Sequence, residues 1–494
     1  MRNGILGTMI ALFIGAGVSW GQFPPGGPVG GPSVIPPQIP GYQGYGPGDN
    51  GTPPEYPPPG NWDQFNPSGP AAGTEGQVPR YWVTAEYLMW FPKSGQYVAP
   101  LVTTSSIANR GVIGNPTTQI VNGNDNVDFG LASGYRLSVG SWLDASGRIG
   151  WDLSGFSTQN SGETFVVGST VNSNPVIARP FTNSVNNGQG SYVVASPNFA
   201  TGYVLDTANT LAWGVGANML LNLFRSAPES NLGYSLTLMG GFRFFQLSEN
   251  VNLISSTNVL PGNTVFFNNQ AVTALNGPQP LQGRVLGPLA VGFQQTTTVS
   301  TVLLNLQDQY QARNSFYGGD LGIYQQFNMG RWTLGMTTKV ALGGMTQAVD
   351  VAGFTNLQNV STSSTTTTVV RNGATIFTTN NTSQNVNNNV AAGSVYAQSN
   401  SIGHYERNVF VALPEVSLRL GYTFTPSITG FLGYNALYVS RVVRATDLNT
   451  GFSDAALNPT SPTFGNPTTP RSFNPFPESD YWLQGLTFGF NVRF

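Results

Sequence analysis

The chain holds a single histidine, His404, and no cysteine. Thiolate nucleophiles, thiolate zinc sites and disulfides are thereby excluded together. A histidine beside a carboxylate can act as a general base, and a His–Asp pair at a barrel rim would serve a membrane-embedded protease. Nothing in the sequence marks a partner carboxylate for His404, which lies at the edge of a long polar stretch. It reads as a solvated loop residue. No metal-spaced cluster, phosphate-binding loop or nucleophile elbow occurs. Neither a cofactor nor a catalytic activity is expected.

What remains is a sparse set of charges. Only 9% of the 494 residues are charged, against roughly 25% in soluble domains. Nine of them, Arg136, Arg148, Asp152, Arg243, Asp320, Lys339, Glu415, Arg419 and Arg493, sit in alternating segments on the face opposite the apolar residues. They are expected to face a common interior. Charges placed there either pair into a network that plugs the space or line a pore and set its selectivity. Buried charges must be paired; charges beside a water column need not be.

The elements that would position them follow from composition. Glycine numbers 61, aromatics make up 12%, and net charge is −2 without a basic block. Nucleic acid is therefore not an expected partner. Mean hydropathy is near zero, and beyond the first twenty positions no apolar run reaches the roughly 18 residues of a spanning helix. Few charges, many glycines and aromatics, and alternation in place of long apolar runs fit a transmembrane barrel.

The N-terminus reads as an export signal. Arg2 precedes an apolar stretch over residues 4–18, and Ser19 and Gly21 supply small residues before a cleavage point at Gln22. Residues 22–79 are rich in proline and glycine, and no packed core is expected there. They are expected to form an extended tether, first of all a spacer in the periplasm, and Tyr42, Tyr45, Tyr56 and Trp62 could make it an arm for a cell-wall or protein partner. Residues 80–494 form the barrel.

Ten alternating segments are expected near residues 80–91, 129–143, 147–156, 210–224, 233–251, 315–327, 331–342, 410–424, 428–443 and 481–494. In the second, Tyr135, Leu137 and Val139 alternate with Arg136, Ser138 and Gly140. Tight joins at residues 143–147, 225–232, 328–330 and 425–427 alternate with long ones at 92–128, 157–208, 252–314, 344–408 and 444–479. Short turns on the periplasmic side and long loops outside are the habit of outer-membrane barrels. The expected fold is thus all-β: an antiparallel up-and-down transmembrane barrel of about ten strands, or twelve if further hairpins hide in the loops. Trp82, Trp90, Trp142, Trp151, Trp213, Trp332 and Trp482 fall in these segments and are expected to form an aromatic girdle at the lipid–water interface. In the last segment Leu486, Phe488, Phe490, Val492 and Phe494 share one face. Thr487, Gly489, Val492 and Phe494 form a pattern expected to be read by the barrel assembly machinery, since a free apolar edge strand suits pairing with an assembly factor.

Several stretches resemble the family called putative beta barrel porin-7. They are residues 82–90 (WVTAEYLMW) followed by 100–104 (PLVTT), 241–249 (GFRFFQLSE), 314–322 (NSFYGGDLG) and 433–444 (GYNALYVSRVVR). The resemblance covers the chain from about residue 80 to the end. The Ser/Thr tract at 361–368 and the Asn-rich run at 380–389 depart from the family pattern. It implies a bacterial outer-membrane barrel surrounded by lipid and says little about a solute. Two function classes follow: a porin passing small solutes or ions, and a non-conducting surface or structural barrel whose loops bind or shield.

Overall fold

In a computed structural model, the described residues are 80–169, 176–226, 232–278, 281–287, 290–372 and 374–494. The expected export signal and tether lie outside them. Ten strands form the barrel: β1 (Tyr81–Pro92), β2 (Ala132–Trp142), β3 (Ile149–Thr158), β4 (Ala200–Arg225), β5 (Gly233–Val259), β6 (Ala290–Met329), β7 (Trp332–Arg371), β8 (Gly403–Thr425), β9 (Ile428–Val442) and β10 (Ser479–Arg493). Each pairs antiparallel with its sequence neighbours, and β10 returns to β1 with Trp82 opposite Arg493 and Pro92 opposite Leu483. Tyr81 and Phe494 seal the seam, each N–H donating to the other's carbonyl at 3.0 and 3.1 Å. All ten expected strands are present, and closure leaves the ring no free edge. The described residues contain no helix long and apolar enough to cross a membrane.

The alternation decides which side chains face out. On β10, Leu486, Phe488, Phe490 and Val492 are exposed, whereas Thr487 and Gly489 between them are buried. Such a band of exposed leucine, phenylalanine and valine recurs on β3, β4, β7 and β8. An apolar exterior of this kind is stable in lipid and costly in water.

The inward glycines allow close strand approach. A Cβ on Gly343 would lie 2.0 Å from the Tyr317 carbonyl oxygen and 2.4 Å from Gly318 Cα on β6. The clearance at Gly343 is thus for a neighbouring backbone.

The long joins are more ordered than their polar composition implied. β6 and β7 run on for 40 residues each, far beyond the expected 315–327 and 331–342. Residues Ala374–Ala392 add a further strand beside β7, and Ser161–Gly168 pairs with β4. Pieces of three joins, Pro100–Ser105, Gln119–Gly123, Val176–Asn183, Gln189–Ala195 and Phe452–Ser453, build a separate five-stranded sheet. These hairpins lie outside the ring, so the ring stays at ten. Lipid-directed alternation stops where the strands leave the apolar belt, but backbone pairing does not need it.

Candidate functional site: the barrel lumen

Seven charged side chains from six strands form one continuous chain of contacts across the lumen. On β1, Glu86 is fully buried; it accepts from Arg419 Nη2 of β8 at 2.6 Å and lies 3.9 Å from Arg136 Nη1 of β2. Arg136 reaches Glu415 of β8 at 3.4 Å, and Glu415 accepts from Arg243 of β5 at 2.8 Å. Arg243 also meets Asp320 of β6 at 3.0 Å, and Lys339 of β7 lies 3.6 Å from that same carboxylate. Each residue points inward because its neighbours at i±1 point to lipid. Register helps the pairing, as where Glu86 and Arg136 stand opposite one another on β1 and β2.

Asp152 and Arg493 line the same cavity, whose volume is about 260 Å³. Arg493 donates through Nε to Asn491 Oδ1 at 2.8 Å. Arg148 differs from expectation: it is exposed in the β2–β3 turn, where its N–H donates to Asp144. The alternation was carried one step too far there, since the strand begins at Ile149. Glu86 was missed from the expected set. Its parity with the buried Thr84 and Leu88 on β1 places it on the inner face.

The tryptophans divide. Trp151 and Trp332 are exposed on the outer face, with Trp213 and Trp482 half-buried on it. Trp82, Trp90 and Trp142 are corrections, because all three have inward parity and cannot join a lipid girdle. Trp82 and Trp142 line the cavity with ring centroids 5.6 Å apart. Trp90 is 1% exposed, and the Arg136 guanidinium lies 5.1 Å from its ring centre. An indole gives a desolvated guanidinium a favourable face.

Above the charges, on the long-loop side, the lumen is apolar. Leu88, Trp90, Phe245, Phe316, Leu413 and Tyr481 belong to a cluster of which none is more than 4% exposed. Side chains this buried pack against one another across the lumen. Two ion pairs then fasten the loops over this layer. Arg444 donates Nε to Glu249 of β5 at 2.7 Å and its other nitrogens to the carbonyls of Lys93 and Ser94. Asn314 of β6 exchanges two bonds with the Val443 backbone, at 2.8 and 2.9 Å. Higher still, Arg179 pairs with Asp308 in full burial, and Asp308 also accepts from the backbone N–H groups of Tyr396 and Ala397. Burial alone would weaken the Arg179 charge, yet the Asp308 carboxylate raises its guanidinium above its ordinary value. Nothing in the sequence pointed to these pairs, because their members are 129 and 195 residues apart.

His404 does have a carboxylate: Nδ1 lies 2.6 Å from Asp350 Oδ1, with Glu406 at 3.8 Å from Nε2. The two residues stand opposite each other on β7 and β8. Hydrogen bonding to Asp350 raises the imidazole above its usual value. Both side chains are about half exposed, at 59% and 49%.

A closed ten-strand antiparallel ring with an apolar exterior and charges held inside defines an outer-membrane β-barrel. The model of the family described as Putative beta barrel porin-7 matches residues 82–270, 291–372 and 363–494, and the chain belongs to that family. No curated protein matches it. Among solved structures, the outer membrane protease OmpT from Escherichia coli is similar at 12% identity and a TM-score of 0.36, covering 85% of this chain and 99% of that one. The toluene transporter TodX of P. putida has 10% identity and a TM-score of 0.17, covering 87% and 92%. A Pseudomonas aeruginosa FadL homologue has 12% identity and a TM-score of 0.21, covering 84% and 90%. At such scores these likenesses carry nothing about activity or solute.

Proposed function

We propose that this barrel is closed at rest and serves as a surface element, holding a large extracellular β-structure outside the membrane. The observation that carries this reading is the layering inside the barrel: a continuous ion network, a buried apolar layer above it, and loops fastened over both by Arg444–Glu249 and Arg179–Asp308. A ten-strand ring is close to the eight-strand size whose interior side chains simply fill, whereas water-filled porins have about 16–18 strands. The charged residues act in this reading as a structural plug. The C-terminal pattern ending at Phe494 remains the site offered to the assembly machinery, and residues 22–79 the wall-directed tether.

The family's porin character favours the second reading, solute passage, and the cavity among the charges is its supporting observation. Planar-bilayer recording of the refolded full chain separates the two. Membrane insertion without current steps is expected; reproducible steps at moderate voltage would return the chain to the porin class. A catalytic role is not part of the reading. The His404–Asp350 pair is open to water, whereas proton-transfer sites gain from excluding it.

A further inference from the structure

The most exposed piece of the extracellular structure is the strand Ala374–Ala392. One side pairs with β7 from Arg371 opposite Ala374 to Phe354 opposite Ala392, broken once by a bulge at Ile376. The other side has no strand beside it among the described residues. Of its 19 residues, 18 are exposed. The strand contains no charge and no proline. Its apolar side chains stand in the open, with Ile376 at 58%, Phe377 at 53%, Val386 at 56% and Val390 at 65%.

Edge strands are normally protected by brevity, charge, proline or a bulge, because unpaired N–H and C=O groups recruit another strand. The opposite edge of the same sheet is protected in this way. It is split into Asn276–Pro278 and Gln282–Gly287, three and six residues long, and the first ends in proline. The longer edge has one bulge, close to its start, and runs regularly from Phe377 to Ala392.

Resting on the surface-barrel reading, we infer that Ala374–Ala392 is a docking edge for the same strand of a second copy of this chain. An uncharged edge meets its own copy without repulsion. Antiparallel overlap of the regular stretch 377–389 sets Ser383 opposite its counterpart, Phe377 opposite Asn389 and Val386 opposite Asn380, each twice, covering four exposed apolar side chains. About 12 backbone hydrogen bonds become available, comparable to the roughly 10 of an ordinary interface.

Topology also decides where the second copy sits. β7 climbs from the barrel, and past its last pair with β8, Val351 opposite Gly403, its residues 352–371 reach roughly 60 Å further. Ala374–Ala392 runs back toward the barrel. An antiparallel mate therefore runs away from this barrel, and in its own copy that direction leads toward its own barrel. The two barrels stand in opposing membranes, and the edge joins one surface to another.

The absence of cysteine makes a clean test possible. Full-length Ser383→Cys is prepared with two different epitope tags, each reconstituted in its own population of lipid vesicles. The populations are then mixed under mild oxidation. Vesicle clustering and a disulfide dimer carrying both tags are expected. Ser383→Lys, which sets like charges face to face at a fully exposed position, should return turbidity to that of protein-free vesicles. Its barrel should keep the same heat-modifiable gel mobility. Three outcomes overturn the inference: no dimer and no clustering, dimers only between copies in one vesicle, or clustering untouched by Ser383→Lys. Current steps in planar bilayers would instead overturn the surface-barrel reading and leave this result as it is.

Discussion

Replacing Glu86 by glutamine keeps the shape and deletes one charge from the middle of the lumen network. Glu86 is 0% exposed, with Arg419 at 2.6 Å and Arg136 at 3.9 Å. At an effective dielectric constant of about 20, these separations correspond to gross attractions of about 6 and 4 kcal/mol. Most of that is offset by the several kcal/mol needed to bring a carboxylate out of water, which the variant recovers. Arg136 keeps Glu415 at 3.4 Å, but Arg419 loses the one carboxylate within ion-pair distance among the described residues. The net loss should fall at about 3–5 kcal/mol, the range seen when one partner of a buried pair is removed. The assay is urea unfolding of the refolded barrel in lipid, followed by tryptophan fluorescence. The midpoint of Glu86→Gln should fall without a change in slope. Adding Arg419→Met should recover part of the loss, because the stranded guanidinium goes with it. A shift of less than about 1 kcal/mol would match the value of exposed pairs. It would mean that water reaches these charges, and the closed-lumen reasoning would then fail.

Two further outcomes follow from the geometry. Asp206 lies above the apolar belt, where burial pushes its carboxyl up to about 6 despite a 2.9 Å bond from Asn122. Between the ordinary value of 3.8 and about 6, the folded chain holds a proton that the unfolded chain releases. Stability should thus rise as pH falls through about 6 and level off below about 4, by up to roughly 3 kcal/mol. Asp206→Asn should flatten that window in urea titrations run from pH 4 to 8; an unchanged slope would contradict the burial argument. Gly343 and Gly344 form a matched pair of probes. A side chain at Gly343 meets backbone at 2.0 Å, whereas one at Gly344 meets nothing within 4 Å. Gly343→Val should cost at least about 2 kcal/mol and reduce the folded band on gels, while Gly344→Ala should behave as the parent chain. Equal tolerance would show that β6 and β7 are less closely apposed than described.

Strand existence and direction were legible because the lipid bilayer imposes a local rule. Every second residue must be apolar through the belt, so β2, β4, β7 and β10 announce themselves within a dozen residues. The same parity placed Arg136, Arg243, Asp320, Lys339, Glu415 and Arg419 on the inner face. It erred only at a strand end, for Arg148, and where aromatic character was set above parity, for Trp82, Trp90 and Trp142. Past the belt the rule lapses. The polar runs at 290–314 and 344–371 read as loops, although they continue β6 and β7 as paired strands.

The sequence by itself determined a ten-strand ring, its lipid-facing side and the order of its short and long joins, since each depends on residues close along the chain. Only the tertiary structure decided which charges meet across the lumen. Glu86 meets Arg419 across 333 residues, and Arg444 meets Glu249 across 195. No local pattern encodes such partners, because ring closure and strand register bring them together. The free edge at Ala374–Ala392 belongs to the same class: a strand is an edge only through what does not pair with it.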